Sequence, residues 1–224
     1  MSASSKAIKE AKRHLEKEGL YVVSSSEFER VADAYAESYA EYPPQVWFAG
    51  GQQNPKATKL LTLALLKAAK KQMLIIADSP KLDCIAIFLA PGAEPESNMS
   101  LSIAGMGKAF KAYGEGSEER IKSYREYGIR KKRNHIKNTD WFFFGLATRP
   151  ERRGYGLASK IMVPMLELLD EQGVRAYLEV NTESNASMYR HYGFEIVVDG
   201  KIPGTDIIHY GMLRKPQKVA RFKF

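Results

Sequence analysis

Apolar positions recur at helical spacing in some stretches of the chain and cluster at strand length in others. Apolar residues three and four positions apart predict amphipathic helices, at 3–18, about 26–40, 56–71, 159–172 and 185–192. Short apolar or aromatic runs bounded by turn residues predict strands, at 20–23, 73–77, 84–89, 141–147, 176–180, 195–198 and 207–213. Interleaved strands and helices indicate an α/β protein, and no repeat or low-complexity linker divides it, so one domain over 1–224 is expected.

Several stretches carry weaker signals. Residues 97–127 alternate apolar and charged positions around several glycines and predict one or two irregular helices. Pro43-Pro44 is expected to end the preceding helix, and residues 50–55 are interpreted as a loop. The basic run 130–133 is interpreted as a solvated loop. The charged helix at 3–18 has a narrow apolar side and is expected to dock on its own domain.

A basic loop with two glycines joins the strand at 141–147 to the helix at 159–172. Its sequence is Arg153-Gly154-Tyr155-Gly156-Leu157-Ala158, preceded by Arg152 and followed by Ser159. A strand, a short loop and a helix start direct backbone N–H groups and the positive end of the helix dipole at one spot, where phosphate oxygens bind well. Glycines let a ligand approach the backbone, and the arginines add charge. The loop predicts a pyrophosphate site, with an ordinary strand-to-helix turn as the alternative.

A second pattern follows the strand at 176–180. Asn185, Tyr189 and the pair Gly193-Phe194 stand in the spacing Asn-x-x-x-Tyr-x-x-x-Gly-Phe. The glycine loop has neither the Gly-Lys-Ser/Thr of a P-loop nor the third glycine of a dinucleotide-binding fold, but it fits Arg/Gln-x-x-Gly-x-Gly/Ala. Together the two patterns resemble the acyl-CoA-binding signature of the GNAT superfamily of N-acyltransferases.

The resemblance extends over residues 73–92 and 138–216. In these ranges the chain is similar to the puromycin N-acetyltransferase-like branch of that superfamily. It implies a mixed, mostly antiparallel central sheet flanked by helices, in which a splayed pair of strands holds acetyl-CoA. Residues 1–20 and 97–137 carry no family signal. They are interpreted as an extra N-terminal helix over 1–19 and a variable insertion.

The resemblance also implies which residues hold the coenzyme A moiety. Backbone groups of Leu146, Ala147 and Thr148 would bind the pantetheine arm as an added strand does. The loop from Arg152 to Ser159 would hold the pyrophosphate. Asn185 is expected to contact the cofactor, although capping of its own helix is an alternative role.

Amide formation from an amine and a thioester needs a base for the amine, a donor for the oxyanion and a proton for the leaving thiolate. Tyr189 is the candidate acid, since a phenol with a pKa near 10 is protonated at neutral pH; packing beside Phe194 is the alternative. Some relatives carry a carboxylate on the first splayed strand, where this chain has phenylalanines. Glu179 on the second strand is therefore the candidate base, and an exposed strand glutamate is the competing interpretation.

Aromatic and acidic residues alternate after the second helix begins and predict the wall of an acceptor pocket. Tyr35, Tyr39 and Trp47 are the candidate contacts, with Glu37 and Glu41 between them. Rings and carboxylates suit a small molecule that carries an amine, although core packing accounts for Tyr35 or Tyr39. We expect an acetyl-CoA-dependent N-acetyltransferase with a small-molecule amine substrate. A protein N-acetyltransferase and a non-catalytic acyl-CoA-binding domain are the alternatives.

Composition and charge argue against several other classes. The formal net charge is +8, but the aromatic-basic interleaving of nucleic-acid-binding folds is missing, so no nucleic-acid partner is expected. No apolar run approaches the roughly 20 residues of a membrane span, and the first residues do not resemble a signal peptide. The single cysteine, Cys84, fits a buried strand and a reducing cytoplasm. Scattered histidines predict no metal site, and a monomer or homodimer is expected.

Overall fold

Seven strands form one sheet in the computed structural model, which describes residues 3–93 and 97–218. The strands are β1 (Tyr21–Val22), β2 (Met73–Ala77), β3 (Cys84–Leu89), β4 (Trp141–Thr148), β5 (Ala176–Val180), β6 (Glu195–Lys201) and β7 (Ile208–Arg214). Their spatial order is β1-β2-β3-β4-β5-β7-β6. Neighbouring strands are antiparallel except β4 and β5, which are parallel. The mixed, mostly antiparallel sheet expected from the sequence is confirmed.

Helices cover both faces of this sheet. They are α1 (Ala3–Lys17), α2 (Phe28–Ser38), α3 (Pro43–Phe48), α4 (Pro55–Ala69), α5 (Asn98–Ile103), α6 (Met106–Tyr113), α7 (Ser117–Lys132), α8 (Leu157–Gln172) and α9 (Glu183–His191). α1 and α8 share one buried cluster with the sheet, and α2 and α4 share another. A third cluster joins α3, α4, α5, α6 and α7.

The inner strand β2 shows why the apolar run at 73–77 is continuous. Leu74 and Ile76 belong to the cluster of α1 and α8, whereas Ile75 and Ala77 belong to that of α2 and α4. Successive side chains of a strand point to opposite faces, so a strand buried on both sides reads as uninterrupted apolar sequence. The docking of the N-terminal helix on its own domain is confirmed by the burial of Ala11 and Leu15 in the first cluster.

An irregularity in β4 opens the sheet at one end. Ile87 of β3 pairs with Gly145 and Phe88 pairs with Phe143, which leaves Phe144 as an extra residue. Such a bulge bends its strand and increases the local twist. β4 pairs with β5 only up to Phe143, where it meets Leu178. Beyond that point the two parallel strands separate, and the gap lies at their carboxyl ends.

Two helices depart from the expectations of the sequence. Pro43 and Pro44, expected only to end a helix, begin α3, because the first turn of a helix needs no N–H donor there. The basic run 130–133 was expected to be a solvated loop, but it forms the last residues and the C-cap of α7. Cations at this position interact favourably with the negative end of the helix dipole. Residues 97–127 form α5, α6 and most of α7.

Candidate active site

The loop after β4 presents unpaired backbone donors at the start of α8. Gly154 and Gly156 have φ of +82° and +73°, values that glycine adopts without strain. Within the described residues, no backbone N–H from Gly154 to Ser159 donates to a protein group, and the first bond of the helix runs from Lys160 to the Gly156 carbonyl at 3.1 Å. The geometry is that of an anion-binding cradle at a helix N-terminus.

The side chains around this cradle hold the loop in place. Arg153 donates to the carbonyl of Ser38 at 2.9 Å. Arg152 lies 3.1 Å from Asp83 and stacks over the exposed ring of Tyr155 at 5.2 Å. The sequence suggested that the two arginines clamp phosphates. In this conformation both arginines bind protein groups beside the cradle instead: Arg153 binds the carboxyl end of α2, and Arg152 binds the carboxylate of Asp83.

The edge of β4 that faces the gap offers backbone groups at alternate residues. The N–H of Arg149 donates to the Asp83 carbonyl at 2.9 Å, which makes this a hydrogen-bonded pair of the β3–β4 ladder. Hydrogen-bonded and non-bonded pairs alternate in antiparallel ladders. Leu146 and Thr148 therefore direct their peptide groups into the gap, as the resemblance implies. The expectation for Ala147 is wrong, because its peptide groups face β3.

A cavity of about 530 Å³ continues from this gap along β4 and beneath α7. Its wall includes the side chains of Tyr35, Tyr39, Tyr42, Tyr124, Tyr189, Asn185 and Glu179. Trp47 does not line it, in contrast to the expectation. Adjacent residues of a helix point about 100° apart, and α3 turns the buried Phe48 toward the cavity while Trp47 packs with the cluster of α3 to α7.

Aromatic rings of α2 and of the loop behind it form one connected wall. Tyr35 and Tyr39 stack with ring centres 5.3 Å apart, and Tyr42 meets Tyr39 edge-on at 5.0 Å. The Tyr39 hydroxyl donates to the Leu146 carbonyl at 3.1 Å, which ties this wall to β4. The Tyr35 ring lies against Gly145, where a built Cβ would stand 2.8 Å from the hydroxyl oxygen. Tyr35 and Tyr39 thus serve both the core and the cavity.

Asn185 and Tyr189 reach the cavity from α9. Thr182 caps this helix by accepting the N–H of Asn185 at 3.2 Å. The alternative role of Asn185 as the helix cap is therefore wrong, and its side chain lines the cavity. Tyr189 also packs on Phe194, with ring centres 5.7 Å apart. Burial raises the pKa of Tyr189 well above 10, so its hydroxyl carries a proton at neutral pH.

Glu179 points inward beneath α7, and the expectation of an exposed strand glutamate is wrong. Its side chain is 14% exposed, and a Cβ built on Gly128 of α7 would lie 3.2 Å from its Oε2. Burial raises the pKa of Glu179, and the Lys132 ammonium and Tyr177 hydroxyl partly offset this. A carboxylate with a raised pKa is a stronger base than an exposed one.

His209 is the buried neighbour of Glu179. Its Nε2 lies 3.8 Å from Glu179 Oε1, and both ring nitrogens lack a hydrogen-bond partner in the described residues. Burial, together with the charges of Lys131 and Lys132, lowers the pKa of His209 to about 4. The imidazole is therefore neutral at physiological pH, and it does not compensate the charge of an ionised Glu179.

The sequence reasoning missed Asn181, Tyr124, Lys132 and His209. Asn181 accepts from the Tyr124 hydroxyl at 2.8 Å, and its backbone N–H donates to the Tyr42 hydroxyl at 2.8 Å. Its position directly after β5 was a usable signal, since α/β sheets place ligands at strand carboxyl ends. Tyr124 and Lys132 lie in α7, whose charged sequence has only a weak apolar stripe. No local sequence pattern predicts that these two residues reach the site.

Other chemistry finds little support in the described part of the chain. Cys84 is a buried free thiol, and burial raises its pKa to about 11, so it is protonated at neutral pH. No three His, Cys, Asp or Glu side chains among the described residues are grouped to hold a metal ion. No described helix has both the length and the apolar character required to cross a bilayer.

Known proteins share this architecture. A model described as the Acetyltransferase (GNAT) family matches residues 102–194, which include the glycine loop, Glu179 and Tyr189. The match begins within 97–137, where the motifs predicted no family signal. An uncharacterized N-acetyltransferase of Schizosaccharomyces pombe is 19% identical over 178 residues, or 77% of this chain and 72% of the relative.

Two solved structures show the same fold at low identity. A Corynebacterium glutamicum structure, described as histone acetyltransferase HPA2 and related acetyltransferase, has a TM-score of 0.59 at 18% identity and covers 90% of this chain and 97% of its own. The Drosophila melanogaster polyamine N-acetyltransferase, which forms N-acetylagmatine, has a TM-score of 0.57 at 13% identity, over 88% and 99%. The family model over residues 102–194, the yeast relative and the shared fold together support a GNAT superfamily N-acetyltransferase.

Proposed function

We propose that the protein transfers the acetyl group of acetyl-CoA to the primary amine of a small molecule by direct attack. The observation that carries this proposal is the order of three features along the site. The anion cradle follows β4 in the chain, the open edge of β4 extends from Gly145 to Thr148, and Leu146 of that edge lines the cavity that contains Glu179 and Tyr189. A pyrophosphate, an extended pantetheine arm and a thioester have the same order in acetyl-CoA.

The cofactor residues follow from this order. The N–H groups of 154–159 would bind pyrophosphate oxygens, and Leu146 and Thr148 would bind the pantetheine amides as a strand does. Asn185 lies where it can contact the same arm. The GNAT fold family generally uses acetyl-CoA, and this donor would bring the activated thioester to the cavity.

Each proton in the reaction has an assigned group. Glu179 takes a proton from the incoming ammonium, directly or through water, and the neutral amine then attacks the thioester carbon. A carbon–nitrogen bond forms, and the negative charge passes to the former carbonyl oxygen. As the carbon–sulfur bond breaks, the electron pair goes to sulfur and the Tyr189 hydroxyl supplies a proton to the thiolate. The second proton of the attacking nitrogen then returns to the Tyr189 phenolate, which leaves a neutral amide.

The form of the cavity favours a small acceptor over a protein chain. The side chains of α2, α7 and α9 enclose it, and aromatic rings dominate its middle. Drug-sized ligands are bound in enclosed, mostly apolar sites of this scale. A solved neighbour of the same fold is described as acting on polyamines. The puromycin N-acetyltransferase-like branch stays a prediction, as do the cytoplasmic location and the monomer or homodimer.

Acetyl-CoA should stabilise the purified protein, and addition of a suitable amine should release free coenzyme A thiol. A ligand at 100 times its dissociation constant stabilises a fold by about 2.7 kcal/mol, which thermal unfolding detects. Thiol release should depend on the amine and exceed the rate with water alone. Acetyl-CoA binding without thiol release from any amine would indicate a non-catalytic acyl-CoA-binding domain. Acetylation of peptides but no small amine would indicate a protein acetyltransferase.

Replacement of Gly156 by valine should abolish acetyl-CoA binding while the sheet remains folded. The φ of +73° strains any residue with a Cβ by about 1–2 kcal/mol, and the new side chain would stand where phosphate oxygens approach. Gly173→Val is the matched control, because Gly173 has φ +66° at the other end of α8 and similarly open surroundings. Calorimetric titration with acetyl-CoA should detect binding by the Gly173→Val variant and none by the Gly156→Val variant. Equal affinity in both variants would place the pyrophosphate elsewhere.

A further inference from the structure

The end of the cavity away from the cradle is positively charged. Lys132, Arg133 and Lys137 line it, at the end of α7 and in the segment that leads to β4. β4 separates this end from the cradle and has 8 residues, which span roughly 23 Å at about 3.3 Å per residue. These cations are therefore too far from the cradle to serve the pyrophosphate.

None of the three cations forms an ion pair at contact distance with a carboxylate in the described part of the chain, although the charge of Lys132 acts on Glu179 through space. The Lys132 ammonium stands 4.3 Å from the centre of the Phe142 ring, and Arg133 and Lys137 are exposed. The nearby carboxylate of Asp140 is already satisfied, since Arg175 donates to it at 2.5 and 3.0 Å and the Lys137 backbone donates at 2.7 Å. Among the described residues, the charges of Arg133 and Lys137 are thus available to a ligand, and Lys132 adds to the positive potential beside them.

The acidic residues that suggested a cationic acceptor do not reach the cavity. Glu37 pairs with Arg149 at the surface. Glu41 accepts a hydrogen bond from Gln53 at 3.3 Å. Besides the engaged Asp140, the cavity wall contains only Glu179 as a carboxylate among the described residues, and that group is assigned to the amine.

We propose that the acceptor amine also carries an anionic group, a carboxylate or a phosphate, that binds at Lys132, Arg133 and Lys137. This inference rests on the proposed acetyltransferase function. The amine lies at Glu179 and the anion extends toward the end of α7, so the ligand matches the polarity of the cavity. A diamine would place its second ammonium among cations, and this repulsion rejects it.

Acceptors of equal length test the proposal with the full chain and acetyl-CoA. We expect kcat/KM for 4-aminobutyrate to exceed that for putrescine by at least about tenfold, with butylamine between them. O-Phosphoethanolamine against ethanolamine tests whether phosphate is preferred to carboxylate. The preference should shrink as salt rises, because the two outer cations are exposed to solvent. Equal or greater activity with putrescine would overturn the proposal.

Charge reversal provides the second measurement. Lys137→Glu should lower the ratio of 4-aminobutyrate to putrescine activity by at least about tenfold. Lys122→Glu, an exposed change on α7 that is not part of the cavity wall, is the matched control. A ratio that is the same in both variants would also overturn the proposal. If no amine is acetylated the proposed function fails, and equilibrium binding of the same acceptors to the coenzyme A-loaded protein then decides this inference separately.

Discussion

Replacement of Tyr189 by phenylalanine should lower kcat by roughly 10²- to 10⁴-fold, the usual contribution of a positioned acid. The ring packs on Phe194 and stays in place, so only the hydroxyl is lost. Because burial raises the pKa of Tyr189, the group holds its proton until a stronger base, the departing thiolate, forms beside it. Steady-state kinetics with acetyl-CoA and the best amine measure the effect.

A comparison of kcat with kcat/KM shows whether Tyr189 acts in catalysis or in binding. An interaction made only in the transition state lowers kcat and kcat/KM equally, and acetyl-CoA affinity stays close to its original value. Tyr21→Phe is the matched control, since it removes a hydroxyl that bonds to Glu27 at 3.0 Å outside the cavity wall. A rise in the KM for acetyl-CoA alone would make Tyr189 a binding residue. Unchanged kinetics would remove it from the mechanism.

Local sequence patterns were enough to predict the positions of the strands and of the glycine loop. Strand β5 was predicted at 176–180, where it lies, because its apolar run is short and bounded by turn residues. The helix after the loop was predicted to end before Gly173, and the structure has that residue as its left-handed C-cap. Such features depend on neighbours in sequence, so the sequence alone specifies them.

The parts of the site that depend on distant neighbours could not be predicted. The bulge at Phe144 is visible only in its pairing with β3, and it decides where the strands separate. The inward direction of Glu179 depends on α7, which lies more than forty residues earlier. Likewise, Phe48 and Trp47 are adjacent aromatic residues of one short helix. The packing of α3 against α7 selects Phe48 for the cavity.

Glu179 lies in surroundings that favour function over stability. Its carboxyl group is buried beside a neutral His209, and its Oε1 lacks a hydrogen-bond partner in the described residues. A buried ionised group without full compensation destabilises a fold. Strained or unsatisfied groups of this kind concentrate at active sites, where they have a use. The charge of the Lys132 ammonium lowers the pKa of Glu179 and so partly compensates its carboxylate.

Replacement of Glu179 by glutamine should therefore lower kcat/KM by roughly 10²- to 10⁴-fold and remove the acidic limb of the pH–rate profile. Burial raises the pKa of Glu179 above its usual 4.5, so wild-type activity should rise with pH through that raised value. Glu195→Gln, which neutralises an exposed carboxylate on β6, should keep both the rate and the limb. A variant that keeps wild-type kcat/KM would exclude Glu179 as the base.

The same substitution should raise the melting temperature at neutral pH. A carboxyl whose pKa is higher in the folded than in the unfolded protein binds its proton more tightly when folded, so ionisation destabilises the native state. Below the unfolded value, near 4.5, the group is protonated in both states and the two proteins should melt alike. The advantage of Glu179→Gln should appear as pH rises through the raised folded pKa and then level off. Thermal melts from about pH 4 to pH 8 test this, and parallel curves would show that burial of Glu179 does not perturb its ionisation.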